Sequence, residues 1–179
     1  MTYASLITKS NFSFLEGASN PEDLIERASA LGYPALALAD RGGVYGAPRF
    51  HQAARRAGMQ AILGAEVDLD PGENAPLPGP RLLLLVESPR GWRGLSRLLT
   101  LGKRRAAKGE CILFTADLLH DPIFAGGRGQ VLVAVPPVVL DAAFKEQLLK
   151  LYNKFSKNLY LTVNYSYLSD DKTRLNALS

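Results

Sequence analysis

Five short apolar runs, at residues 35–39, 61–67, 82–87, 131–135 and 159–163, constrain the fold of this chain more than any other feature. Continuous runs of this length, rich in Leu, Ile, Val and Ala, fit strands buried on both faces, as in a parallel sheet. Helical patterns with legible ends lie between them. Asn20 can cap a first helix, Pro21 suits its first turn, and Glu22 and Asp23 complement the helix dipole there. Leu24, Ile25, Ala28 and Leu31 recur on one face, and Gly32 ends the helix. A second helix covers about 47–57, with Phe50, Ala53, Ala54 and Ala57 inward and Gly58 as its stop. Trp92, Leu95, Leu98 and Leu99 form a third apolar face, and Leu140, Phe144, Leu148, Leu151 and Phe155 a fourth. Strands and helices in alternation imply right-handed crossovers and an α/β architecture. The pattern fits a closed β/α barrel and an open doubly wound sheet alike. The stretch 70–80, dense in proline and glycine, reads as a surface loop.

With 179 residues the chain is long enough for one domain with a sizeable core, so 1–179 reads as a single domain. Its 47% hydrophobic and 21% charged residues are ordinary for a soluble protein. No apolar run reaches the length needed to cross a bilayer, and the N-terminus lacks the three parts of a signal peptide. A cytoplasmic location without membrane contact is the expectation. A single cysteine, Cys111, excludes an internal disulfide and a cysteine-based zinc cluster, and its expected role is packing. The formal charge is +4, and the excess is concentrated at Arg90, Arg93, Arg97, Lys103, Arg104, Arg105 and Lys108. One reading is a solvated helix and loop face. The other is a polyanion contact, with Arg93, Arg97, Arg104 and Arg105 as the candidate nucleic-acid residues. Only Trp92 interleaves with these charges, which does not support a base-stacking groove. Up to about Ala143 the basic residues are mostly arginine, and beyond it lysine, asparagine and tyrosine take over.

Three segments stand out from this frame. The first runs Leu6-Ile7-Thr8-Lys9-Ser10-Asn11-Phe12-Ser13-Phe14-Leu15-Glu16-Gly17. The second is Ala37-Leu38-Ala39-Asp40-Arg41-Gly42-Gly43-Val44-Tyr45-Gly46, and the third Leu63-Gly64-Ala65-Glu66. In order, spacing and flanking residues they resemble the PHP (polymerase and histidinol phosphatase) domain, above all the one that opens bacterial DNA polymerase III alpha subunits. The run Asn11-Phe12-Ser13-Phe14 favours the error-prone branch. The likeness covers nearly the whole chain and is sharp from Tyr3 to about Trp92. It implies a distorted seven-stranded, TIM-like β/α barrel, incomplete at the C-terminus, with its site at the C-terminal ends of the strands.

The family holds a metal cluster with His-x-His in the first segment and Asp-His in the second. By that likeness Ile7 and Lys9 stand where the first two histidines would be, Arg41 where the third would be, and Arg81 in place of a further one. Isoleucine has no lone pair, lysine is a cation at neutral pH, and guanidinium does not deprotonate in proteins. The carboxylates Glu16, Asp40 and Glu66 remain. Three cations beside three acids can neutralise the hollow without a metal, so Lys9, Arg41 and Arg81 are expected in an ion network with Glu16, Asp40 and Glu66. For Arg81 the alternative is a side chain in solvent. His51 and His120 match no family ligand and read as surface or capping residues. Near Val131, where the family often has a cysteine, this chain has Ala134-Val135-Pro136-Pro137, and the last family ligands would lie beyond Ser179. Gly42-Gly43-Val44-Tyr45-Gly46 lacks the ending of a phosphate loop.

These readings imply a catalytically inactive PHP domain, without cofactor, that acts as a scaffold in an error-prone DNA polymerase of replication or repair. Its partner would be the rest of the polymerase polypeptide, with DNA met indirectly. The segment 169–176 begins like a capped helix and the chain stops at Ser179, as expected of a fragment of a longer polypeptide. The competing enzyme reading places one Mg²⁺ or Mn²⁺ on Glu16, Asp40 and Glu66, since hard ions accept oxygen ligands alone, as a residual phosphoesterase or 3′–5′ exonuclease.

Overall fold

A computed structural model of the chain describes residues 3–70, 79–137, 140, 142–163 and 171–178. The elements follow in the order α1 (Pro21–Ala30), β1 (Ala35–Arg41), α2 (Ala47–Ala57), β2 (Gln60–Asp70), β3 (Arg81–Val86), α3 (Pro89–Arg105), β4 (Leu113–Phe114), α4 (Thr115–His120), β5 (Gln130–Val135), α5 (Ala142–Phe155), β6 (Leu159–Leu161) and α6 (Asp171–Leu178). Helix ends lie where the sequence puts them. The Asp23 carboxylate accepts from the Asn20 backbone N–H and side-chain amide at the start of α1. Gly58 closes α2 in the left-handed conformation that only glycine adopts without strain. In α2, Phe50 and Ala54 are buried as expected, whereas Ala57, in its last turn, is exposed.

The main sheet has the order β1-β2-β3-β5-β6, with the short β4 pairing beside the end of β2. β1 and β2 are parallel and joined by the crossover helix α2, as are β5 and β6 through α5. β3 runs antiparallel to both of its neighbours. The reason is length. β2 ends at Asp70 and β3 begins at Arg81, which leaves too few residues for the crossover that a parallel partner requires.

The expected closed seven-stranded barrel is therefore corrected. Among the described residues there are six strands in an open sheet, with β1 at one edge and β6 at the other. The N-terminal segment lies along β1 through a bridge between Ser5 and Leu36. Ala37 donates to Ser5 and Ala39 to Thr8, so three residues of the segment span two of β1, and the segment is bulged rather than a regular strand.

Helices α1 to α5 cover one face of the sheet. Leu36 and Leu38 of β1 meet Ile25, Ala28, Phe50 and Ala54 of α1 and α2. Val67, Leu82, Leu84 and Leu132 meet Leu95, Leu98 and Leu99 of α3, Leu118 of α4, and Leu151 and Phe155 of α5. The opposite face carries a small cluster of Ala37, Ala39, Leu83 and Leu85 with Ile62, Val131, Val133 and Val135. At one end of that second face the apolar residues give way to charged ones.

Candidate functional site

Strand alternation places the charges. On β2, Glu66 and Asp68 share the second face with Gly64, and β1 offers Arg41 directly beside Glu66. Across the antiparallel pair, Arg81 stands opposite Asp68. The N-terminal segment adds Lys9 and, through the turn that follows it, Glu16. Six side chains meet in a closed ring of alternating sign. Lys9 Nζ lies against Glu16 Oε2 and 2.8 Å from Glu66 Oε1. Arg41 bridges Glu16 and Asp68 with its two terminal nitrogens. Arg81 Nε closes the circuit, 3.0 Å from Asp68 Oδ1 and 3.4 Å from Glu66 Oε1. The ring is buried on one side and wet on the other, since Glu66 keeps 3% of its side-chain surface while Arg41 and Asp68 keep 43% each.

Burial would raise the Glu16 carboxyl, but hydrogen bonds from Lys9 and Arg41, reinforced by their charges, prevail and hold it at about 2, against a usual 4.5. The Arg41 guanidinium is pushed up by its hydrogen bond to Glu16.

Asp40 has no place in this ring, contrary to the sequence expectation. As the strand neighbour of Arg41 it points to the opposite, helix-covered face, where it is 1% exposed. There Oδ1 accepts from the Ser10 backbone N–H at 2.8 Å and the Ser13 hydroxyl at 2.7 Å, and Oδ2 from the Ser10 hydroxyl at 2.8 Å. The Ser13 hydroxyl oxygen in turn accepts from the Arg41 N–H. Asp40 thus fixes the turn that carries Glu16 to the ring. The acid that takes its expected place is Asp68, two residues beyond Glu66 on the same strand. Arg81 joins the ring rather than pointing to solvent. Ile7 is 40% exposed.

The donor set does not suit a divalent ion on Glu16, Asp40 and Glu66. Asp40 commits both oxygens to three donors, and Glu16 and Glu66 each hold the Lys9 ammonium. Among the described residues no three His, Cys, Asp or Glu side chains converge as a metal-binding group. His51 and His120 are exposed, and His120 is the last residue of α4.

The basic stretch lies mainly on α3, and half of its four candidate residues are engaged within the chain. Arg97 pairs with Asp121, and Arg105 makes two bonds to Asp117 while its guanidinium lies 4.7 Å from the Phe114 ring centroid. Arg93 and Arg104 are exposed. Beside the ring opens a cleft of about 490 Å³, whose walls include Phe12, Phe14, Arg41, Tyr45, Lys103 and Cys111. This cleft is not legible in the sequence, because its walls come from segments ninety residues apart. Burial raises the Cys111 thiol there, against the pull of Lys103 and Arg105.

A mixed α/β sheet with a charged cluster at the ends of its first two strands defines the class, and comparison with known proteins names it. The PHP domain model matches residues 5–166, and this chain belongs to that family. An error-prone DNA polymerase of Caulobacter vibrioides is 35% identical over 173 residues, which cover 97% of this chain and 15% of that protein. One of Pseudomonas aeruginosa is 38% identical over 176 residues, covering 98% and 16%. The chain thus spans about a sixth of the length of these relatives. Two solved structures share the fold. A protein assigned as a metal-dependent phosphoesterase, from Bifidobacterium adolescentis, has a TM-score of 0.62 at 17% identity, covering 98% of this chain and 82% of that one. An amidohydrolase from Chromobacterium violaceum, with bound sulfate and no metal, has a TM-score of 0.63 at 16% identity, covering 98% and 81%. No helix among the described residues is long and apolar enough to cross a membrane.

Proposed function

We propose that this chain is the PHP domain of an error-prone DNA polymerase, and that the domain works there as a non-hydrolytic scaffold for the rest of the polypeptide. The observation that carries the reading is the closed ring of Lys9, Glu16, Arg41, Asp68, Arg81 and Glu66. Ile7, Lys9, Arg41 and Arg81 hold positions that the family resemblance gives to imidazoles. Three of them now neutralise carboxylates that a metal would otherwise need. Three positive and three negative side chains leave the ring with no net charge to attract a divalent ion. Hydrolysis of a phosphodiester by this fold would need such an ion to polarise the phosphate and activate water, and the ring supplies neither function.

The test is a nuclease assay on the purified 179-residue chain with Mn²⁺ or Zn²⁺, using bis(p-nitrophenyl) phosphate and a 5′-labelled single-stranded oligonucleotide. The expected result is no product above the metal-only control. Product that disappears with EDTA and with Glu66→Gln would overturn the reading and restore a residual phosphoesterase.

A further inference from the structure

The cleft beside the ring combines two features that the sequence kept apart. Aromatic side chains enter it from the turn after the N-terminal segment and from the loop after β1, and one cation, Lys103, enters it from the last turn of α3. Phe14 is 85% exposed and Tyr45 58%, so their rings offer free surface. Phe12 and Tyr45 sit 6.4 Å apart between centroids and tilted by 37°, a loose pair rather than a packed one. Lys103 Nζ lies 5.2 Å from the Tyr45 ring centroid. Among the described residues it has no carboxylate within ion-pair distance. Of the acids at the cleft, Asp68 is neutralised by Arg41 and Arg81, which leaves Glu110 as the opposing charge. The next residue, Arg104, is exposed and lines a second concavity of about 340 Å³ with Arg97 and Arg105. Arg97 and Arg105 are paired with Asp121 and Asp117, so among the described residues Lys103 and Arg104 are the cations that the end of α3 leaves without an ion pair, at and beside an aromatic-lined cleft.

The aromatics are also held in place. The turn that carries Phe12 and Phe14 is tied to buried Asp40 through Ser10 and Ser13, and its tip residue Leu15 is kept at φ +62°. A Cβ at Gly17 would come 2.2 Å from the Ser10 carbonyl oxygen, so the turn closes tightly on itself. A rigid mount for exposed rings lowers the ordering cost of binding.

We propose that this cleft binds single-stranded nucleic acid, with bases stacked on Phe12, Phe14 and Tyr45 and a backbone phosphate held by Lys103. Stacking on aromatic rings accepts any base, because every base has a π-face, and a duplex hides those faces. The inference rests on the non-hydrolytic reading only in that the bound strand is left uncut. Binding measured in EDTA is therefore separable from that reading.

The experiment is fluorescence anisotropy of a labelled oligo-dT with the 179-residue chain in EDTA, across a salt series, with far-UV circular dichroism on each variant. Phe14→Ala should weaken binding by about five-fold or more. Lys103→Gln should lower the slope of log K against log salt by about 0.7. A duplex of equal length should bind more weakly than the single strand. Equal affinity for duplex and single strand, or unchanged binding by both variants, would overturn the proposal. So would loss of self-association in Phe14→Ala with oligonucleotide affinity intact, since the aromatic patch would then be a protein contact.

Discussion

Lys9 and Arg41 both hold ion pairs in the ring, yet their losses should differ several-fold in cost. Lys9 is 15% exposed and faces Glu66, which is nearly sealed from water, so Lys9→Ala leaves a buried carboxylate with only Arg81 at 3.4 Å. That change should cost about 3 kcal/mol. Arg41→Ala releases Asp68 and Glu16 on the wet side, where solvent takes over the pairing, and should cost about 1 kcal/mol or less. The urea midpoints of the two variants give the comparison. Acid should act through Glu16. Its folded carboxyl sits at about 2, below the usual 4.5, so its contribution is present above about pH 4.5 and is lost as pH falls toward 2. A urea titration series over that range should show a loss of stability that Glu16→Gln reduces. The membership of this ring was partly legible beforehand. Lys9, Glu16, Arg41, Glu66 and Arg81 are readable from the family likeness, whereas Asp68 follows only from the period of two along a strand. That period sends Asp40 to the face opposite Arg41 and brings Asp68 beside Glu66.

At the scale of elements, helix ends are local and were readable from Asn20, Pro21 and Gly58. Strand direction is not local. The antiparallel β3 follows from the short connection between β2 and β3, yet the apolar run 82–87 looks the same in either direction. Closure of a barrel depends on which edges find partners, and no pattern within one strand encodes that. Close approaches are equally hidden. Gly91, in the first turn of α3, would carry a Cβ 1.8 Å from the Gly129 carbonyl oxygen, and Gln130 donates its side-chain amide to the Gly91 carbonyl at 2.6 Å. In sequence Gly91 is merely a weak helix former. In the fold it lets α3 seat against the start of β5, so Gly91→Ala should force a backbone shift costing about 3 kcal/mol. A thermal melt lowered by only the small change expected of a surface site would count against that packing.

For the whole molecule, the sheet buries its helix-covered side in two apolar clusters and spends its other side on a small apolar patch and the charged ring. At three positions that the family resemblance gives to imidazoles, this chain places cations, and the three cations meet three carboxylates. That exchange should leave the site without affinity for a metal. Elemental analysis of the purified chain, after incubation with Zn²⁺ and Mn²⁺ and exhaustive dialysis, tests it most directly. Well under one ion per chain is expected, with retention rising in Lys9→His/Arg41→His. One or more tightly held ions in the unaltered chain would contradict it.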